Sequence, residues 1–131
     1  MRVLIVEDDA LTAMQLSDDV GDAGHDLLGC ATSAWAARDF VYASQPDVML
    51  VDIHLDDGET GCDLARDIRA ELNIPTIFVT GSPAKARTCD HALGVLTKPF
   101  TANAVTAALD AAEVIRAGGK PVHVDPQLEL F

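Results

Sequence analysis

Pro46-Asp47-Val48-Met49-Leu50-Val51-Asp52-Ile53-His54-Leu55-Asp56-Asp57-Gly58 sets a short apolar run directly before a carboxylate and a glycine-punctuated polar loop. A continuous run such as Val48 to Val51, bounded by turn residues, suits a strand buried on both faces. Open parallel sheets gather their chemistry just beyond the carboxyl ends of the strands. Asp52 stands at such an end. Taken alone it reads as a cap for the Asp56-Asp57-Gly58 turn, and the remainder of the chain has to decide whether it is more.

The flanking sequence supplies the partners of that strand. Arg2 to Glu7 is a β-branched, apolar first strand that ends in Glu7-Asp8-Asp9. Ala10 to Val20 carries Leu11, Ala13, Met14, Leu16 and Val20 at near-helical spacing, with Asp9 placed to cap it and Gly21 and Gly24 to close it. Residues 26–31 form a weaker second strand. Thr32 or Ser33 caps a second helix, Ala34 to Ala43, whose apolar contacts are expected from Trp35, Phe40 and Val41. Beyond the opening stretch, Thr60 precedes a third helix over 61–72 with Leu64, Ala65, Ile68 and Leu72 along one face. Pro75 to Val79 reads as a fourth strand, proline being tolerated at its first position. Residues 84–92 make a poor helix. Gly94-Val95-Leu96 is a fifth strand, and Thr101 caps a last helix, 102–117, with Val105, Ala108, Leu109, Ala112 and Ile115 inward. Regular alternation of this kind implies right-handed crossovers and a parallel sheet covered on both faces.

The chain of 131 residues is 49% hydrophobic, which suits one globular domain, with no internal repeat. It divides into a domain over 1–117 and a tail over 118–131. The two glycines and two prolines of the tail favour a floppy end, although its Leu128, Leu130 and Phe131 could instead dock on the domain or on a partner. No run approaches the roughly 20 apolar residues of a membrane span, and the start is too soon acidic for a signal peptide. A net charge of −12 argues against nucleic acid and anionic membrane as partners and fits cations or basic protein patches. Cys30, Cys62 and Cys89 lack metal-ligand spacing and read as free thiols of a reducing, cytoplasmic compartment.

Four strand ends then carry polar groups: Glu7 and Asp8, Asp52, Thr80, and Lys98. Carboxylates crowded along one sheet edge raise one another's pKa unless a cation neutralises them, and hard oxygen ligands suit Mg²⁺. Carboxylates, a hard metal, an ammonium and a hydroxyl are the parts needed to accept a phosphoryl group, with a carboxylate as nucleophile.

Those residues stand in Leu4-Ile5-Val6-Glu7-Asp8-Asp9, Val51-Asp52-Ile53-His54-Leu55, Val79-Thr80-Gly81 and Lys98-Pro99-Phe100. Across residues 2–117 the chain resembles a response-regulator receiver domain of two-component signalling. The resemblance implies an α/β, flavodoxin-like, doubly wound five-stranded parallel sheet of order 2-1-3-4-5. It implies Asp52 as phosphoacceptor, Asp8 as direct metal ligand, Glu7 as a ligand through water and the backbone carbonyl of His54 as the last protein ligand. Lys98 would bind a phosphoryl oxygen and pair with Asp52, Thr80 would swing toward the phosphoryl group, and Pro99 would shape the turn after Lys98, often in the cis form. Asp9 is left as a helix cap.

The function implied is that of a single-domain response regulator in a bacterial cytoplasm. It would be phosphorylated by a sensor histidine kinase or a histidine phosphotransfer protein in a Mg²⁺-dependent reaction, and would signal by protein contact without being a turnover enzyme. The alternatives are a phosphate sink or shuttle in a branched phosphorelay, an interaction-only receiver, or an aspartyl-nucleophile phosphohydrolase. A phosphohydrolase wants an acid two residues after the nucleophile, where this chain has His54. One departure matters. Receivers usually carry an aromatic residue three positions before the lysine, and Val95 stands there. Ile74 to Gly81 resembles the motif of an atypical receiver subfamily nicknamed FAT GUY, which also lacks that aromatic, and which extends the expectation to a stress-response setting. Readout is then expected from ordering of the Gly81–Ala92 segment.

Overall fold

The computed structural model describes residues 1–55, 60–89, 91–122 and 125–131. The Asp56-Asp57-Gly58 turn lies outside the described residues. In chain order the elements are β1 (Arg2–Val6), α1 (Ala10–Asp22), β2 (Asp26–Ala31), α2 (Ala34–Ser44), β3 (Val48–Val51), α3 (Gly61–Leu72), β4 (Thr76–Thr80), α4 (Pro83–Ala86), β5 (Gly94–Thr97), α5 (Ala102–Arg116) and β6 (Leu128–Leu130). The sheet order is β2-β1-β3-β4-β5-β6. The first five strands are parallel, as the alternation requires.

β6 is the departure. It pairs antiparallel with β5, Leu96 opposite Leu128 and Gly94 opposite Leu130. The apolar tail end therefore docks on the domain and makes the expected five-stranded sheet six-stranded. The cause is an otherwise open edge on β5, together with Leu128, whose side chain is buried with the α1/α5 layer.

Alternation along the strands divides the core between the two faces. Val3, Ile5, Val48, Leu50, Ile77, Val79 and Leu96 meet α1 and α5. Leu4, Val6, Met49, Val51, Phe78 and Val95 meet α2, α3 and the short α4. The helices start where the caps direct: Asp9, Ser33, Thr60 and Thr101 each accept from a backbone N–H three residues on.

Three expectations change. α1 buries Leu16 and Val20, while Leu11, at 72% exposure, and Met14 face outward. α2 buries Ala34, Ala37 and Val41, a spacing of three and four that faces the sheet; Trp35, about 100° around the helix from Ala34, is 72% exposed. Phe40 supplies part of the contact expected of it, closing over Gly29 so tightly that a Cβ there would lie 2.8 Å from its ring. Finally, Cys62 and Cys89 are disulfide-bonded with their Cα atoms 5.7 Å apart, and only Cys30 is a free thiol. The fold brings the start of α3 beside the segment after α4, a proximity that a sequence separation of 27 does not disclose. Among the described residues no helix is long and apolar enough to cross a membrane.

Candidate functional site

The parallel register brings the carboxyl ends of β1, β3, β4 and β5 to one edge of the sheet. Val6 pairs with Val51, so Glu7 and Asp8 leave β1 level with the point where Asp52 leaves β3. Thr80 pairs with Thr97, which sets Lys98 one residue beyond the end of β4. Oxygen atoms of Glu7, Asp8 and Asp52 lie within 4.8 Å of one another.

Lys98 joins this group, but not with the expected first partner. Its Nζ lies 2.5 Å from Glu7 Oε1 and 3.3 Å from Asp52 Oδ2. Glu7 is only 1% exposed, so its carboxylate is the one with most need of a counter-charge. Burial pushes the Glu7 carboxyl up to about 7, helped by the Asp52 charge and opposed by the hydrogen bond from Lys98. For Lys98, burial works against the ammonium. The bond to Glu7 and the charges of Asp52 and Glu7 outweigh it and hold the group above its ordinary value.

Local structure fixes the rest of the edge. Asp9 accepts from both the N–H and the hydroxyl of Thr12 and is a helix cap, which leaves Asp8 facing the cluster. The second Glu7 oxygen accepts from Asp9 N–H at 3.3 Å. Asp52 Oδ1 accepts from His54 N–H at 3.3 Å, and the His54 backbone is bridged to Thr60. The imidazole of His54 is exposed and stands apart from the acid cluster. Thr80 is buried, and its hydroxyl accepts from Ser82 N–H at 3.1 Å. The Lys98–Pro99 bond is cis. Val95 is buried beside Phe78 with no aromatic ring at its position.

The donor set fits a hard divalent cation. Three carboxylates converge, two of them on buried residues and one on the half-exposed Asp8, which leaves a side open to water ligands.

Two positions that shape the site carried no motif signal. Gly61 opens α3 against the backbone of Asp52, where a Cβ would stand 2.2 Å from the Asp52 carbonyl oxygen. Its place just after the Thr60 cap was the only hint of a close approach. Gln127, far along the tail, bonds to both flanks of the Lys98 turn. Nothing local in the sequence could have announced it.

The family model described as the response regulator receiver domain matches residues 3–110. The phyllosphere-induced regulator PhyR of Methylorubrum extorquens is 33% identical over 114 residues, covering 85% of this chain and 43% of that protein. The receiver domain of PhyR from Erythrobacter litoralis is 33% identical and superposes with a TM-score of 0.79 over 95% of both chains. PhyR from Brucella abortus is 31% identical, with a TM-score of 0.82, over 89% of this chain and 49% of that one. The chain thus spans about half the length of the full-length relatives it matches.

Proposed function

The chain belongs to the response-regulator receiver family, and from that premise we propose that it is a phosphorylation switch whose acceptor is Asp52. The observation that carries this reading is the convergence of Glu7, Asp8 and Asp52 with Lys98 Nζ laid across Glu7 and Asp52. The donor is a sensor histidine kinase or a histidine phosphotransfer protein. An Asp52 carboxylate oxygen bonds to phosphorus as the donor's P–N bond breaks; the bonding pair remains on the imidazole, which takes up a proton. Attack by water at phosphorus later returns Asp52 and inorganic phosphate. The chemistry is therefore self-limited, with no turnover of an external substrate.

Glu7, Asp8, Asp52 and the His54 carbonyl would hold Mg²⁺, which supplies neutralising charge to the phosphoryl oxygens. Lys98 supplies the other cation and is already within reach of Asp52. Thr80 supplies a hydroxyl. Its oxygen accepts from Ser82 N–H, so turning that hydroxyl toward a phosphoryl group releases the backbone just ahead of α4. This gives the Gly81–Ala92 segment a direct mechanical link to the site and supports it as the readout in a chain with Val95 in place of the usual ring.

Output runs through protein contact in the bacterial cytoplasm, and the relatives suggest the setting. Solved relatives are described as an anti-anti-sigma factor and as a stress response regulator, and this chain corresponds to about half of each. We place it in the same kind of stress circuit, as a receiver that passes on or drains the phosphoryl group.

The test is labelling from acetyl phosphate or a cognate kinase. Asp52→Asn removes the label and keeps the fold; label persisting at the same stoichiometry refutes the assignment. Small phosphate esters hydrolysed with turnover would favour the phosphohydrolase alternative.

A further inference from the structure

Lys98 sits in a turn between β5 and α5, and that turn is held from outside by a single tail residue. The carbonyl of Gln127 accepts from Thr97 N–H at 2.9 Å. Its side-chain Oε1 accepts from Thr101 N–H at 3.0 Å, and its Nε2 donates to the Pro99 carbonyl. These bonds meet the turn before, within and after Lys98-Pro99-Phe100. They also fix the orientation of the amide, since its oxygen faces an N–H and its nitrogen a carbonyl.

The bond to Thr101 fills a defined gap. Thr101 caps α5 by accepting from Ala104 N–H. In a capping box a Glu or Gln at that third helical position would reach back to the cap's own N–H. Here that position is Ala104, which has no acceptor, and Gln127 provides the return bond from the tail. Gln127 is itself anchored, its N–H donating to Asp125 Oδ1 at 2.9 Å and β6 beginning at the next residue. On the inner side, Lys98 N–H donates to the Thr80 carbonyl at 2.9 Å. The backbone that aims the lysine is thus clamped between β4 and the tail.

We propose that Gln127 is a positioning residue for phosphoryl transfer, setting the Thr97–Thr101 turn so that Lys98 reaches the acceptor at Asp52. The proposal rests on the phosphoacceptor reading. It assigns the tail a part in the chemistry as well as in covering the sheet edge.

The experiment uses the full chain with Gln127→Leu, which keeps the main-chain bonds and removes both side-chain bonds, and Gln127→Glu, which keeps an acceptor for Thr101 but cannot donate to Pro99. Glu129→Gln is the control: it weakens the 2.7 Å Arg87–Glu129 ion pair of the same strand and leaves the clamp alone. Labelling rate is measured against acetyl phosphate concentration, together with thermal unfolding and the NMR signal of the Lys98 ammonium protons. With Gln127→Leu the maximal rate should fall on the order of tenfold, within the loss that misplacing a positioned group produces. The half-saturating donor concentration should hold, the ammonium signal should broaden, and the chain should stay folded. Gln127→Glu should fall between, and Glu129→Gln should match wild type.

Wild-type rate in a folded Gln127→Leu chain overturns the proposal. So does a rate that falls only in step with the folded fraction in both Gln127 variants. If the wild-type chain takes no label at Asp52, the acceptor reading fails separately, and the ammonium signal decides whether Gln127 positions Lys98: an unchanged signal in Gln127→Leu overturns it.

Discussion

Glu7 is where the site's electrostatics concentrate, because it is buried, beside Asp52 and bonded to Lys98. Its folded pKa of about 7 exceeds the ordinary 4.5, so the folded chain holds a proton that the unfolded chain releases across that window. Stability contributed by the protonated group is present at the acidic end and is lost as pH rises from about 4.5 toward 7. Urea denaturation without divalent ions should show this decline, and Glu7→Gln should flatten it; an unchanged slope in the variant would remove Glu7 as its source. At this scale the sequence was informative about charge and silent about pairing. Asp8, Asp52, Thr80 and Lys98 are legible because each closes an apolar strand. The choice of Glu7 over Asp52 as nearest partner of Lys98 depends on relative burial, which no motif encodes. Trp35 misleads for a related reason: its size suggests a core residue, but its phase on α2 turns it outward.

The elements were legible where periodicity and capping agree. α3 opens at the Thr60 cap and ends before Asn73, whose φ of 56° places it in the left-handed region and stops the helix. β3 is delimited by Pro46-Asp47 and Asp52 in the same way. β6 escaped because three residues give no pattern, and its strand character comes from the β5 edge it covers. Gly94 records that contact from the other side. A Cβ there would stand 2.3 Å from the Glu129 carbonyl oxygen, a backbone atom that cannot yield without moving the strand. Gly94→Ala should therefore push β6 off β5 and destabilise the chain by about 1–3 kcal/mol, the usual range for overpacking. Hydrogen exchange should report it, with faster exchange at Thr97 and at Phe131, whose N–H groups donate across the pair to the Gln127 and Leu93 carbonyls. Protection equal to wild type would mean that the strands accommodate the methyl.

At the scale of the whole molecule the tail completes the sheet, and its loss should be felt in two ways. Removing residues 119–131 exposes the surface that Leu128 covers, worth roughly 2 kcal/mol for one fully buried aliphatic side chain. It also uncovers the β5 edge, a template for pairing with another chain. The truncated protein should melt at a lower temperature and self-associate in sedimentation; a monomer of unchanged melting temperature would show that the tail contributes neither. The antiparallel direction of β6 has a geometric result as well. The strand descends from the level of Thr97 to that of Gly94, and Phe131 N–H donates to the Leu93 carbonyl at the far pole of the sheet. Met1 is at that pole too, its carbonyl bonded to Asp26 N–H at the start of β2. Anything joined to either end of residues 1–131, whether a purification tag, a surface tether or a further domain, would attach behind the molecule and leave the Asp52 pole clear for the phosphodonor proposed above.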